Sequence, residues 1–174
     1  MLASTLTTGA LWRDSVSLAA GPVSSGSLVL LIGDATSQVE AYAFTVLAGS
    51  GLRPGSSAQA PLTIRNGGST PLGYRLSETT TIGSPTLPAQ LTLQIDAVSE
   101  DAACSTGVDV PPATGPTSAV YAGPLPGATS TVLRPLAPSA TETLCVRVAV
   151  AGSAPQAVEG TTAAARFTFA AVQA

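Results

Sequence analysis

The residues of this chain that could do chemistry are few, and the missing types exclude more than the present ones allow. Ser and Thr are abundant, but there is no His and no Lys. Without His, no Ser-His-Asp or Cys-His nucleophile can be assembled and no HExxH zinc helix exists. Without Lys there is no SxxK nucleophile, no Schiff base and no phosphate-binding P-loop. Carboxylates remain. A glycosidase needs only two of them, and the candidates are Asp34, Glu40, Glu78, Asp96, Glu100, Asp101 and Asp109. They are spread through expected turns and strand ends, where solvation is the default. Asp96, Glu100, Asp101 and Asp109 could together offer hard oxygens to Ca²⁺, yet the DxDxDG spacing of a calcium loop is absent. No catalytic, cofactor-binding or metal-binding residue is therefore assigned.

Cys104 and Cys145 are the two cysteines. A lone pair with no His and no CxxC cannot make a four-ligand zinc site. Two buried thiols are one reading. The other is a disulfide, favoured because Cys145 falls in a strand pattern and Cys104 in a loop that can fold back on it. Closing about 42 residues in this way stabilises a fold by roughly 4 kcal/mol in the chain-entropy account. Such a bond points to an oxidising, extracytoplasmic location.

The composition sets the frame for these groups. Charged residues make up 10% of 174 and hydrophobic ones 45%, which argues for a packed domain and against polar disorder. Aromatics are only 4%, so aliphatic side chains must fill the core. The seven basic residues are all Arg, scattered, against ten carboxylates, for a net charge of −3. That balance gives no footprint for nucleic acid or an anionic membrane. No run of 18 apolar residues exists to span a bilayer. The opening MLASTLTTGALW lacks a basic start and a long apolar middle, so its first ten residues read as a signal remnant, an added start or a genuine arm.

Alternation with period two recurs along the chain, while helical spacing is scarcely visible. Residues 27–32 (SLVLLI) are apolar on both parities and read as a strand buried on both faces. Residues 41–47 put Tyr42, Phe44 and Val46 on one side. Further strands are expected around Leu62 and Ile64, Tyr74 and Leu76, Leu91 to Ile95, Leu144 to Val150, and Phe167 and Phe169. About nine strands separated by Gly, Pro, Ser and Thr indicate an all-β antiparallel sandwich. Pro54-Gly55 fits a type II turn, and Asn66-Gly67 predicts a β-hairpin between the strands on either side. Between about 99 and 141 the pattern lapses into a long loop that holds half of the 14 prolines. A loop of that length needs a tie, which the disulfide would supply, and SAVYA and STVL read as short edge strands within it. PPATG (111–115) resembles a sorting signal, but it sits mid-chain without an apolar tail and reads as loop. LAPSATETLCVRV echoes LRPGSSAQAPLTIR, which suggests two similar strand entries.

Four stretches carry a resemblance: ALWRDSVSLAAGPVSSGSLVL, LRPGSSAQAPLTIRNGGSTPLGYRL, LAPSATETLCVRVAV and ARFTFAAVQA. Their Trp12-Arg13-Asp14-Ser15 opening, Ser25–Leu28 strand entry, 52–66 passage and Phe167–Gln173 ending resemble the TasA/camelysin family, proteins exported by an alternate, SipW-type signal peptidase route. The resemblance implies a jelly-roll/Ig-like β-sandwich, here with a long Pro-rich disulfide-tied loop. It also implies extracellular fibres of the biofilm-matrix kind, in which the N-terminal segment of one subunit completes a sheet in the next. Camelysin relatives have been classed as metallopeptidases; with no His here, that activity is not carried over.

The expected organisation is an N-terminal strand or arm over 1–20 and a single sandwich over 21–174. Arg13 and Asp14 are the only charges in the arm. If the arm pairs within its own domain it is an ordinary first strand. If it leaves, an identical segment can replace it, and head-to-tail contacts of this kind propagate as a filament. Leu6, Leu11, Trp12, Val16 and Leu18 are then the donor-strand residues, Trp12 foremost. The rival reading is a secreted monomeric ligand-binding or adhesin-like module, for which Tyr42, Tyr74 and Tyr121 are few and dispersed. The partner calculus is thus a homopolymer, with no nucleic acid, no membrane span and no cofactor.

Overall fold

The computed structural model describes residues 26–40, 42–44, 53–83 and 86–174. The expected donor-strand residues Leu6, Leu11, Trp12, Val16 and Leu18 lie outside them. Two antiparallel sheets face each other, an all-β sandwich as the alternation predicts. The larger sheet runs β2 (Gln38–Val39), β1 (Leu30–Gly33), β3 (Ser57–Asn66), β9 (Thr141–Val150), β5 (Leu91–Val98) and β7 (Thr117–Pro124), with β6 (Gly107–Val108) also paired to β3. The smaller sheet runs β10 (Ala163–Gln173), β4 (Leu72–Gly83) and β8 (Arg134–Leu136).

The inward parity of each long strand builds the core. Leu62 and Ile64 of β3, Tyr74 and Leu76 of β4, Leu93 and Ile95 of β5, and Leu144 and Val146 of β9 are all buried. Thr92 and Gln94, on the opposite parity of β5, are exposed. This is the period-two rule acting through the pleat. Strand β3 is long despite Pro61 at its centre. Its outer edge pairs with β6 at residues 58–59 and with β1 at 63–66, so Pro61 falls in the gap between them, where a residue lacking an N–H fits inside a strand.

The Asn66-Gly67 hairpin is corrected. Strands β3 and β4 belong to different sheets, and the turn between them carries the chain across the sandwich. Asn66 is fully buried and works through its side chain instead. Its Nδ2 donates to Thr70 O at 2.9 Å and Leu136 O at 3.0 Å, while its Oδ1 accepts from Gly68 N at 2.9 Å. Gly68 is needed for close approach: a Cβ there would sit 2.2 Å from Ser27 O. A turn signal fixes a reversal of direction, not which sheet receives the next strand.

Other expectations shift in detail. Residues 27–32 are half-buried or exposed, with Leu28 44% exposed, because β1 lies near the edge of its sheet beside the two-residue β2. Residues 42–44 are described and form no strand. The SAVYA segment lies in the eight-residue edge strand β7, whereas STVL is not a strand and β8 begins after it, at Arg134.

The echo between 52–65 and 136–148 has a structural basis. Arg53-Pro54-Gly55-Ser56 closes a turn through Ser56 N to Arg53 O at 2.8 Å, with Gly55 at φ 88° as a type II turn requires. Ala137-Pro138-Ser139-Ala140 closes the same way, Ala140 N to Ala137 O at 3.0 Å, with Ser139 at φ 64°. Each turn then caps the far end of the other's strand. Gly55 N donates to Val150 O and Val150 N to Ser56 O, while Ser139 N donates to Asn66 O and Asn66 N to Ala140 O. The central β3–β9 pair is thus a local two-fold arrangement.

Candidate functional site

The disulfide forms: Cys104 and Cys145 are joined, with Cα atoms 5.4 Å apart and both residues buried. It pins the 99–116 excursion onto the outer face of the larger sheet. Polar side chains complete the attachment. Gln59, buried in β3, donates to Ser105 O and Pro111 O, and Arg147 of β9 donates to Val110 O and to Gln59 Oε1. Asp109 accepts from Ser57 N at 2.8 Å and Asp101 from Thr143 Oγ1 at 2.8 Å. These partners were not read from sequence, because Gln59 and Arg147 occupy outward positions that the pattern leaves to solvent.

The carboxylates considered for Ca²⁺ are thereby separated. Asp101 is engaged by Thr143 of β9 and Asp109 by Ser57 of β3, and Asp96 accepts from Gln94 at 2.6 Å. Among the described residues no three His, Cys, Asp or Glu side chains come together as a metal site. Asp34 caps its own turn, accepting from Thr36 and Ser37, and the Thr36 hydroxyl and these backbone N–H groups hold its carboxyl below the usual range. The tyrosines do not form a display either. Tyr74 is fully buried, Tyr42 is half-buried against Phe44, and the Tyr121 hydroxyl donates to Pro124 O.

The two flanks of the sandwich differ. One flank is clasped. Arg134 of β8 forms an ion pair with Glu142 of β9, its Nε donating at 2.8 Å, and Tyr74 of β4 donates its hydroxyl to the same carboxylate. Arg134 also reaches Ser118 of β7 at 3.3 Å. Burial alone would raise the Glu142 carboxyl, but the hydrogen bonds from Arg134 and Tyr74 and the Arg134 charge outweigh it and hold it low. Burial, then the bond to Glu142, pushes the Tyr74 hydroxyl well up.

Among the described residues the other flank is open. Strand β10 pairs with β4 along its whole length, and among the described residues no strand occupies its other edge. The irregularity in that pairing leaves Ser77 of β4 as the extra residue, so β10 itself carries no bulge. It also contains no Pro, no Gly and a single charge, Arg166. These are the devices that normally blunt an edge. Below this edge runs a groove of about 1080 Å³ between the sheets, floored by Leu62, Leu91, Val148 and Val150 and walled by Ile32, Tyr42 and Phe44. Among the described residues Glu40 and Arg166 are its only charged lining residues. Phe167 and Phe169 point inward from β10, and Phe169 meets Tyr74 edge-on at 6.2 Å.

This arrangement offers a row of backbone donors and acceptors above an apolar floor, which suits an extended polypeptide. Sequence reasoning placed the Phe167/Phe169 strand but not its open edge. The usable signal was the strand's 11-residue length with no Pro or Gly and Arg166 as its single charge.

The fold and site together define an antiparallel β-sandwich, disulfide-tied, with one flank clasped and the other left uncovered by the described residues. No known protein family matches this chain, and no curated protein matches it. Among the described residues, no helix is long and apolar enough to cross a membrane.

Proposed function

We propose that this chain is a secreted structural subunit of an extracellular fibre or biofilm-matrix filament. Residues 1–20 of one subunit add as a strand to the free edge of β10 in the next and cover the groove beneath it. The observation that carries the reading is the juxtaposition of an 11-residue edge, paired with no other strand among the described residues, with an apolar groove beneath it. An edge of this kind is a template for pairing with another chain. A low-charge, strand-like arm is available in the same sequence to fill it, and a head-to-tail contact need not close, so it propagates. The resemblance to the TasA/camelysin family supports the same reading, as does the disulfide, which suits an oxidising compartment. A ligand-binding module is less well supported: among the described residues the groove lies open along a backbone edge and no aromatic platform lines the outer faces.

The test is to delete residues 1–12 and examine concentrated protein by negative-stain microscopy. The full chain should form filaments. The truncated protein should remain a folded, disulfide-bonded monomer. Filaments from the truncated protein would refute the assignment.

A further inference from the structure

Asn66 is the single Asn of the chain, and Gly67 follows it. In an open polypeptide this pair is prone to deamidation, because a glycine has no Cβ to keep its amide away from the preceding side chain. The Gly67 nitrogen attacks Asn66 Cγ, the Cγ–Nδ2 bond breaks, and ammonia leaves with the amide proton. Water then opens the cyclic imide at either carbonyl, giving an aspartyl or an isoaspartyl residue. No oxidant, metal or enzyme is required.

In the closed sandwich the reacting atoms are all engaged elsewhere. The attacking Gly67 N donates to Val29 O at 2.9 Å. The leaving Nδ2 is held by Thr70 O and Leu136 O, and Oδ1 by Gly68 N. The main chain is fixed as well: Asn66 N donates to Ala140 O at 3.0 Å and Asn66 O accepts from Ser139 N at 2.9 Å. These partners come from the lead into β1, the turn after β3, strand β8 and the turn before β9. The residue is fully buried, which keeps water and base from it. Asn66 belongs to the larger sheet and Leu136 to the smaller, so freeing Nδ2 means parting the two layers. Release therefore requires opening of the domain, not fraying of one loop.

The products do not fit the site. An aspartyl carboxylate would set a second oxygen against Thr70 O and Leu136 O, leave both without their donor and bury an uncompensated charge. An isoaspartyl residue lengthens the main chain by one carbon within the pairing to Ser139 and Ala140. We propose that Asn66-Gly67 is a latent deamidation site, silent while the sandwich is closed, whose conversion in an open chain permanently bars refolding. The pair then sets a time limit on how long the chain can stay unfolded, independently of whether folded subunits polymerise.

The test follows the tryptic peptide running from Asn66 to Arg75, which contains the site. Full-length oxidised protein is incubated at mildly alkaline pH in native buffer and in guanidinium, and conversion is read by peptide mass spectrometry. The unfolded fraction of a stable domain is on the order of 10⁻³ or lower, so conversion in native buffer should be at least about a thousandfold slower than in guanidinium. Comparable rates in the two would overturn the suppression. Guanidinium samples taken at partial conversion are then diluted, and folded and unfolded material are separated by size. The folded fraction should hold only the unconverted peptide, with both acid forms confined to the unfolded fraction; acid forms in the folded fraction would overturn the bar to refolding. Gly67→Ala provides the control, since its added Cβ meets only the mobile end of Leu31 at 2.8 Å. Conversion in guanidinium should slow severalfold, and the refolding yield, relative to the same variant before incubation, should be retained for correspondingly longer. A yield lost as fast as in the wild type would place the damage elsewhere and overturn the assignment to Asn66.

Discussion

Replacing both Cys104 and Cys145 with Ala removes the covalent tie and leaves no buried hydroxyl behind. The bond closes a sequence separation of 41 residues. In the chain-entropy account a loop of that size corresponds to about 13 cal/mol/K, or roughly 4 kcal/mol at 25 °C. For a domain of this length each kcal/mol moves the melting temperature by about 2–4 °C, so the midpoint should fall by about 8–16 °C. The contacts of Asp101, Asp109, Gln59 and Arg147 hold the excursion independently of sulfur. The variant should therefore keep native circular dichroism at 25 °C and lose stability without losing its fold. Thermal melts of oxidised protein and the double variant decide the matter. A drop below about 2 °C would refute the claim that this bond chiefly restricts the unfolded chain. Both cysteines are also 3% exposed or less, so a reductant should act only after opening. Reduction in native buffer as fast as in denaturant would contradict the burial.

Two further perturbations address the frame of the sandwich. Glu142 is held below its ordinary range when folded, so its contribution is present above the unfolded carboxylate value and fades as pH falls through the lower folded one. Chemical denaturation of wild-type protein should show stability declining below about pH 4, and Glu142→Gln should flatten that decline while lowering stability at pH 7; an unchanged acid limb would remove the clasp from the account. Ser139 adopts φ 64° at the position equivalent to Gly55, so Ser139→Gly should raise stability by about 1 kcal/mol through relief of the left-handed strain, measured by urea midpoint, and a loss would contradict the paired-turn interpretation.

How far the fold was legible depends on whether the determinant was local. The alternation of Leu62, Ile64, Leu93, Ile95, Leu144 and Val146 is set by the pleat, and each of these residues is buried as its parity demands. Pro54-Gly55 is likewise local, and its turn forms where it was read. Asn66-Gly67 shows the limit. The turn is present, but its strands enter different sheets because Asn66 bonds Leu136, 70 residues away. The same limit hid the clasp, since nothing in the spacing of Tyr74, Arg134 and Glu142 brings three strands to one carboxylate. Burial on the outer face of β3 was hidden too, because it arises only when the proline-rich excursion folds back over Gln59. As for the site, the strand that forms it was legible, while the edge that the described residues leave uncovered is a property of sheet order, which no single segment encodes.

The central claim concerns the backbone of β10, so its amides are the place to look. Hydrogen exchange followed by mass spectrometry should compare peptides covering residues 163–173 in assembled filaments and in the monomer lacking residues 1–12. The account predicts marked slowing of exchange along this strand on assembly, while peptides from the opposite edge strand β7 exchange alike in both. Filaments in which residues 163–173 exchange as freely as in the monomer would contradict it.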